Sequence, residues 1–209
     1  MGSWAAALAE SGARATLLVE IARSDHERRA IAARSYWHPN GFLKLVLRGR
    51  SGGEQLRLHV WPERVGDDDP HDHAWSYGSV VVAGEVIETV HREVGPDDPH
   101  AEPMWRHRYG AAGAREFSLD EPVATWLRAG EPVVRGAGER SGGDADRIHR
   151  FSGWTTPAMT LVHVTGPARR YSHVFRAEAV PGESLRPRPA TVDDVATWVE
   201  HALRRPCPA

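Results

Sequence analysis

The sequence has almost no cysteine, almost no lysine and no long apolar segment. Its single cysteine, Cys207, lies between two prolines in the tail, and one thiol cannot build a disulfide framework. We therefore expect a reducing compartment, with the cytoplasm as the default. No apolar run approaches the roughly 20 residues of a transmembrane helix, so no membrane partner is predicted. The segment Met1–Val19 lacks a basic start and contains Glu10 and Arg14, which is not typical of a secretory signal.

An excess of positive charge is also missing. The 209 residues carry 26 basic and 28 acidic groups, a formal net charge of −2. A nucleic-acid-binding protein needs a concentrated basic face, so no nucleic-acid partner is predicted. All basic residues except Lys44 are arginine, as in proteins from GC-rich genomes. The one remaining lysine therefore stands out.

The length fits one hydrophobic core. We predict one domain overall, with a helical segment at 1–40, a β barrel at 41–178, and a proline-rich linker with a last helix at 179–209. Apolar residues recur at helical spacing within Trp4–Arg34, and Ser24–Asp25 offers a break between two helices. In the last segment Thr191 and Asp194 form a helix-start pattern after the linker Pro181–Pro189.

Short apolar runs separated by glycine, proline and aspartate fill the middle of the chain. Such a pattern is typical of an all-β sandwich or barrel. The predicted turns include Ser51–Gly53 and Ala83–Glu85. The predicted strands are Phe42–Leu47, Leu56–Trp61, Ser79–Ala83, Val86–His91, Trp105–Tyr109, Val123–Leu127, Arg147–Phe151, Met159–Val164 and Tyr171–Phe175.

Two histidines separated by one residue, His71 and His73, follow an acidic turn and precede a strand. On an extended chain their side chains point to the same face, so both imidazoles can bind one metal ion. His149, near the start of a later strand, is the candidate third ligand. Imidazole suits iron, zinc, copper and nickel, so the ligands alone do not select the metal. Most histidines in proteins are surface or core residues without a ligand. We predict this role for His26, His38, His91, His100, His107 and His201.

The segment Gly66–Gly84 resembles the first motif of the cupins, which are small jelly-roll barrels with one metal in the barrel mouth. The resemblance implies a mainly β fold, a single double-stranded β-helix. Cupins usually have a glutamate four or five residues after the second histidine, whereas this chain has Tyr77 and Gly78 there. The missing carboxylate is similar to the cysteine dioxygenase type of thiol dioxygenase. That resemblance implies a three-histidine iron site with positions for thiolate, amine and dioxygen.

The resemblance extends over about residues 42–175. It aligns Lys44 with the arginine that binds the substrate carboxylate in that family, and Trp61 with the tryptophan that ends the next strand. It also aligns His163 with a histidine beside the metal site, and Thr165 with a tyrosine that positions substrate. His173 matches a further downstream histidine. Because Lys44 and Thr165 depart from the family pattern, the substrate pocket is expected to be altered.

The predicted function is oxidation of a small anionic thiol such as cysteine by a mononuclear iron oxygenase. His71, His73 and His149 would bind Fe(II), with zinc, nickel or copper not excluded, and dioxygen would be the co-substrate. His163 would act beside the metal ligands. Tyr77 and Trp75 would wall the pocket, and Lys44 and His59 would contact the substrate. For Lys44 the alternative is a solvated strand residue, and for His59 a satisfied barrel histidine.

Two other functions remain open at this point. One is a metal-dependent isomerase or lyase acting on an acidic metabolite, and the other is a non-catalytic ligand-binding cupin. The altered pocket leaves two contexts for the oxygenase, which are cysteine catabolism and a specialised biosynthetic pathway. The expected partner is a small molecule, and the chain is expected to be a monomer or a homodimer.

Overall fold

A computed structural model describes residues 10–63, 69–109, 117–118, 122–152, 155, 157–180 and 184–204. Two helices begin this part, α1 (Ser11–Arg23) and α2 (Asp25–Ala32). The Ser24 hydroxyl oxygen between them accepts a hydrogen bond from the Glu27 N–H, at 3.2 Å, and caps α2. The break predicted at Ser24–Asp25 is therefore present. Trp4, the predicted start of the first helix, lies outside the described residues.

Strands form most of the remaining described chain, followed by helix α3 (Val192–Arg204). In chain order the strands are β1 (Tyr36–Trp37), β2 (Leu43–Gly49), β3 (Gln55–Trp61), β4 (Tyr77–Ala83), β5 (Val86–Glu93), β6 (Glu102–Tyr109), β7 (Phe117–Ser118), β8 (Val123–Ala129), β9 (Val133–Arg135), β10 (Arg140–Gly143), β11 (Ile148–Ser152), β12 (Ala158–Val164), β13 (Ser172–Arg176), β14 (Ser184–Leu185) and β15 (Arg188–Pro189).

Most of the strands form two antiparallel sheets whose pairing defines a jelly roll, and β7 and β14 form a separate two-stranded sheet. The first sheet has the order β10-β4-β12-β3-β2-β1-β15. The second has the order β11-β5-β8-β6-β13, and β9 also pairs with β5. A short bridge at His71 pairs with the free side of β11. The chain crosses to the second sheet between β4 and β5, and it then crosses between the sheets at each step from β9 to β13. The mainly β jelly roll expected from the sequence is confirmed.

Alternation along β2 and β3 gives the first sheet two different faces. Leu43, Leu45 and Leu47 point outward and pack under the helices, as do Leu56 and Leu58. The alternate residues of β3, which are Arg57, His59 and Trp61, therefore point into the barrel. The outer core also contains Leu18, Ile21, Ile31, Val195, Val199 and Ala202 from the helices. The terminal helices thus cover the outside of the barrel and leave its interior to other residues.

The proline-rich segment is not simply a linker. Arg188 and Pro189 form β15, which pairs with β1 through Trp37 and Tyr36. Pro189 can occupy this position because β15 is the edge of the sheet, where one side of the strand needs no N–H donor. The Arg188 guanidinium also lies 4.8 Å from the centre of the Trp37 ring.

Helix α3 begins as predicted. The Thr191 hydroxyl oxygen accepts from the Asp194 N–H at 3.0 Å, and the Asp194 carboxylate accepts from the Thr191 N–H at 2.8 Å. This reciprocal pair satisfies backbone donors at the helix start. No helix in the described part of the chain combines the length and apolar character needed to cross a lipid bilayer.

Candidate metal centre

Three histidine side chains converge where the bridge at His71 pairs with β11. One ligand nitrogen from each of His71, His73 and His149 lies within 4.8 Å of the other two. Backbone pairing brings them together, because His71 and His149 exchange two N–H···O hydrogen bonds of 2.9 Å. The two-residue spacing then places His73 on the same side as His71. The structure therefore unites the three histidines that the sequence indicated as ligands.

Hydrogen bonds determine which nitrogen of two of these rings is available. His71 Nδ1 lies 2.9 Å from the Asp69 carbonyl oxygen, and His149 Nδ1 lies 3.0 Å from Glu88 Oε1. Both partners only accept, so each Nδ1 carries the proton and each Nε2 presents a lone pair. His149 Nε2 lies 2.9 Å from His73 Nε2. Such closely opposed nitrogens need a shared proton or a cation between them, and a metal ion fits this donor set.

Burial keeps two of the rings neutral, which is the form that binds metals. The pKa of His73 is far below its usual value because of burial and then the neighbouring His71 and His149. Burial likewise lowers the pKa of His149 to about 4, although the Glu88 carboxylate opposes this shift. At neutral pH both imidazoles are therefore ready to bind a cation without first losing a proton.

Glu88, on β5, is a site residue that the sequence interpretation missed. Its carboxylate is buried, with 1 % of the side chain exposed, and accepts from Arg135 Nε at 3.1 Å as well as from His149. Burial alone would raise its pKa, but hydrogen bonds from His149 and Arg135 and the charge of Arg147 lower it to about 2. Glu88 is therefore an anion that orients His149. The signal for it was an acidic residue at a buried position inside the apolar strand Val86–Val90.

Tyr77 lies against the same ring, as part of the cavity wall predicted from the sequence. Its hydroxyl is 2.9 Å from His149 Nδ1 and 3.5 Å from Glu88 Oε1. Burial, and then the negative charge of Glu88, raises the pKa of Tyr77. The phenol is therefore neutral and can donate its proton to the Glu88 carboxylate, while its ring packs against His73 at 5.1 Å.

Asp72 anchors the chain between the first two ligands. Its carboxylate is buried and accepts from the backbone N–H and Nδ1 of His173, at 2.6 and 2.7 Å, and from Arg169. Arg169 Nη2 also donates to the carbonyl oxygens of His73 and Ala145, at 2.8 and 2.9 Å. This network ties the His71–His73 segment to β13 and to the loop before β11.

A cavity of about 80 Å³ adjoins the three histidines. This volume is below the roughly 300–1,000 Å³ of pockets that bind drug-sized ligands, so it suits only a small substrate. His59, Trp61, Trp75 and Tyr77, four of the predicted pocket residues, are in its lining. The other lining residues are Phe42, Arg57, His71, His73, Ser79, His149, Phe151, Thr160, Val162 and Val164.

Arg57 provides the positive charge of the lining. Its side chain is buried, its Nε donates to Gln55 Oε1 at 2.7 Å, and its Cζ lies 4.5 Å from the centre of the Trp75 ring. Trp75 in turn stacks on the metal-site ring of His73, with ring centres 5.8 Å apart. Arg57 was not among the site residues predicted from the sequence. A lone arginine on the inward face of a buried strand was the available signal.

Lys44 lies behind this lining rather than in it. It pairs with His59 across β2 and β3, and its ammonium donates to the Tyr36 hydroxyl oxygen at 2.6 Å. The ammonium is also 5.8 Å from the centre of the Trp75 ring. Burial, and then the charge of Arg57, lowers the pKa of Lys44 well below its usual value. Lys44 therefore lies beside the Trp75 wall of the cavity without lining it, and Arg57 is the basic residue in the described lining.

The structure differs from the sequence interpretation for His163 and Thr165. His163 shares the outward side of β12 with Met159 and Leu161, whereas Val162 lines the cavity. Its Nε2 lies 2.8 Å from Glu54 Oε1. Thr165 is exposed, and its hydroxyl oxygen accepts from the Ser76 N–H. Both residues line a surface groove that shares Tyr77 with the cavity but contains none of the three histidines, and neither residue is in the cavity lining.

No protein family and no curated protein matches the sequence. Among solved structures, the chain is similar to one from a study of DMSP lyases, at 17 % identity and a TM-score of 0.37 over 62 % of this chain. It spans about half of that protein, 49 % of its length. A hydroquinone 1,2-dioxygenase in complex with Cd²⁺ and 4-hydroxybenzonitrile gives 15 % identity and a TM-score of 0.40, over 70 % of this chain and 79 % of that one. These similarities are too low to support a function, and the jelly-roll assignment depends on the strand pairing.

Proposed function

We propose that this protein is a mononuclear non-haem iron oxygenase that oxidises the sulfur of a small thiol carrying an anionic group, such as cysteine. The observation that carries the proposal is the convergence of His71, His73 and His149 at a small, aromatic, cationic cavity. This donor group contains no carboxylate. Three neutral ligands leave the charge of a divalent metal uncompensated, which favours an anionic substrate donor such as a thiolate.

His71, His73 and His149 would hold the metal. When bound, Fe(II) supplies open coordination positions and the electrons that activate dioxygen. Zinc, nickel and copper remain alternatives, because imidazole binds all of them. Glu88 and the Asp69 carbonyl hold the imidazole rings by their Nδ1 protons, so that the Nε2 lone pairs stay directed at one point.

The other wall of the cavity would hold and shield the substrate. Arg57 carries a positive charge that attracts the anionic group, and the Lys44 side chain lies against the same Trp75 ring. Trp61 packs between Phe42 and Phe151, with ring centres 5.5 and 6.0 Å away. These rings exclude water from the reacting sulfur and limit the size of the thiol.

The proposed reaction balances without another reductant. A thiol, RSH, and one dioxygen give a sulfinic acid, RSO₂H. Two sulfur–oxygen bonds form, the O–O bond of dioxygen breaks, and sulfur loses the four electrons that dioxygen gains. The S–H bond also breaks, and its proton ends on an oxygen of the sulfinic acid. The sulfinic acid is the expected product in cysteine catabolism, and a specialised biosynthetic pathway could use the same reaction.

Metal-dependent isomerisation or elimination on a small acidic metabolite is a second candidate. The Tyr77 hydroxyl favours it, because a phenol in the cavity beside a metal ligand is placed for proton transfer. This reaction would proceed without oxygen and with zinc or nickel. A non-catalytic ligand-binding role would require neither reaction.

Oxygen uptake separates these functions. Protein loaded anaerobically with Fe(II) is mixed with dioxygen and with cysteine, 3-mercaptopropionate or cysteamine, and the sulfinate is identified by nuclear magnetic resonance. We expect uptake with at least one carboxylate-bearing thiol at one dioxygen per sulfinate, and none in His149→Ala. No uptake above the metal-free protein with any of the three thiols would end the thiol oxygenase proposal.

A further inference from the structure

The cavity lining is cationic and contains no acidic side chain among the described residues. The nearest buried carboxylate in contact with a lining residue, Glu88, is already occupied by His149, Arg135 and Arg147. A metal held by three neutral imidazoles adds two further positive charges. Any ligand in this cavity therefore meets positive charge from both the metal side and the Arg57 side, without a protein anion to accept a cation.

Arg57 has hydrogen-bonding capacity that the protein leaves unused. Its Nε donates to Gln55 and its planar face stacks on Trp75, which fixes the guanidinium. Within the described residues neither Nη atom has a hydrogen-bond partner, and no carboxylate pairs with the charge. The side chain is only 3 % exposed and lines the cavity. A buried guanidinium without an anion is costly, and its two parallel Nη donors match the two oxygens of a carboxylate.

His59 supplies a second unused group on the same wall. It is the next inward-facing residue of β3 after Arg57, and its ring lies 5.1 Å from that of Phe42. Its Nε2 is buried and has no hydrogen-bond partner among the described residues. Buried polar atoms are nearly always paired, so an orphaned one that faces a cavity marks a place for a ligand atom. A ligand carboxylate bound by Arg57 would therefore lie on the same wall of the cavity as the unpaired His59 Nε2.

We propose that the cavity selects a compact ligand with a carboxylate bound by Arg57 and His59, an anionic sulfur directed at the three histidines, and no ammonium group. This inference rests on the proposed function for the sulfur and its metal, and it goes further by naming the substrate class as amine-free mercaptocarboxylates. A carboxylate offsets the unpaired Arg57. An ammonium in the cavity meets the positive charges of Arg57 and the metal, and finds no acceptor carboxylate in the described lining.

Cysteine and 3-mercaptopropionate make a matched pair, because they differ only by the ammonium group. Their binding to the Fe(II)-loaded protein is measured anaerobically by isothermal titration calorimetry, beside cysteamine, which has the ammonium and no carboxylate. We expect 3-mercaptopropionate to bind at least tenfold more tightly than cysteine and at least a hundredfold more tightly than cysteamine. Equal or tighter binding of cysteine overturns the proposal, whatever the variants show.

Arg57→Gln tests the carboxylate anchor. We expect this variant to bind 3-mercaptopropionate at least tenfold more weakly than the unchanged protein does. Its affinity for 2-mercaptoethanol, a neutral thiol without a carboxylate, should change by less than twofold. Arg108→Gln is the control, because Arg108 is an exposed arginine that stacks on Tyr171 at 5.0 Å away from the cavity. An equal loss for both thiols in Arg57→Gln would show a merely structural role, and no loss would remove Arg57 as the anchor.

A metal-free measurement provides a readout that does not depend on chemistry at the metal. Propionate binding to the metal-free protein should disappear in Arg57→Gln and persist in Arg108→Gln. If both variants still bind propionate, Arg57 is not the carboxylate anchor. Failure of the two ideas is distinguishable. If 3-mercaptopropionate binds selectively and through Arg57 but no oxygen is consumed, the oxygenase proposal is wrong and this inference holds. If oxygen is consumed but cysteine binds as tightly as 3-mercaptopropionate, the oxygenase proposal holds and this inference is wrong.

Discussion

Glu88 Oε1 lies 3.0 Å from His149 Nδ1, on the side of the imidazole opposite the other two histidines. The carboxylate is an acceptor only, so it requires the Nδ1–H tautomer and raises the basicity of Nε2. Arg135 and Arg147 keep it ionised. The orientation of one metal ligand therefore depends on a residue that cannot itself touch the metal.

Replacement of this carboxylate by an amide should weaken metal binding. An amide can present its N–H₂ to His149 Nδ1, which no longer favours one tautomer, and it carries no charge. We expect Glu88→Gln to lower Fe(II) affinity by about 10–100-fold, measured by competition with a chelator. Glu93→Gln is the control, since Glu93 lies on the same strand and pairs with Arg106 at the surface. Unchanged affinity in a folded Glu88→Gln protein would contradict the positioning role.

Lys44 should affect the substrate but not the metal. Its ammonium contacts Tyr36 and Trp75, and it makes no contact with the three histidines. We expect Lys44→Met to weaken mercaptocarboxylate binding severalfold, less than Arg57→Gln does, and to leave metal content unchanged. Calorimetry and elemental analysis measure the two effects, with Arg48→Met on the same strand as the control. If Lys44→Met weakens mercaptocarboxylate binding more than Arg57→Gln does, then Lys44 and not Arg57 is the main carboxylate anchor.

His163 should be dispensable for activity. It lies on the outer face of β12, where it pairs with Glu54 at partly exposed positions. We expect His163→Ala to keep full metal content and oxygen uptake, and to lose less than about 1 kcal/mol of stability in urea unfolding, as is usual for such pairs. A tenfold loss of uptake with metal retained would restore the role predicted from the sequence.

The sequence was sufficient for the parts of the molecule that follow a local pattern. The two-residue spacing of His71 and His73, the reciprocal cap at Thr191 and Asp194, and the strand–turn alternation all depend on neighbouring residues. The jelly roll was predicted as well. His149 was found because a third ligand was expected on a strand facing the same lumen.

The features that were not predicted depend on contacts between strands that are distant in sequence, or on which face of a strand a residue occupies. Glu88 and His149 are 61 residues apart, and β5 and β11 must pair before they meet. His163 was assigned by alignment with a family motif, although its alternation with Val162 and Val164 places it on the other side of the sheet. β15 was missed because its partner, β1, lies at the far end of the chain.

The metal-free protein should lose stability as the pH falls below neutral. Burial, and then the charge of Lys44, lowers the pKa of His38 from 6.5 to about 3. Burial, and then Arg150, lowers the pKa of His91 to about 4. Between those values and 6.5 the unfolded chain binds protons that the folded protein does not, so stability present above 6.5 is lost on acidification.

The shift at His91 corresponds to a loss on the order of 3 kcal/mol. Urea unfolding of the metal-free protein at pH 7 and pH 4.5 measures it, and we expect His91→Gln to show a smaller decrease than the unchanged protein. Equal free energies of unfolding at both pH values would show that these histidines are not buried in the neutral form.

The central claim is that His71, His73 and His149 form a single metal site, and metal stoichiometry tests it most directly. Anaerobic Fe(II) titration followed by elemental analysis is carried out on the unchanged protein, on His71→Ala, His73→Ala and His149→Ala, and on His100→Ala, whose histidine is exposed and away from the site. We predict one iron per chain for the unchanged protein and for His100→Ala, and at least a hundredfold weaker binding in each of the other three. One tightly bound iron that survives removal of any of the three histidines would contradict the account.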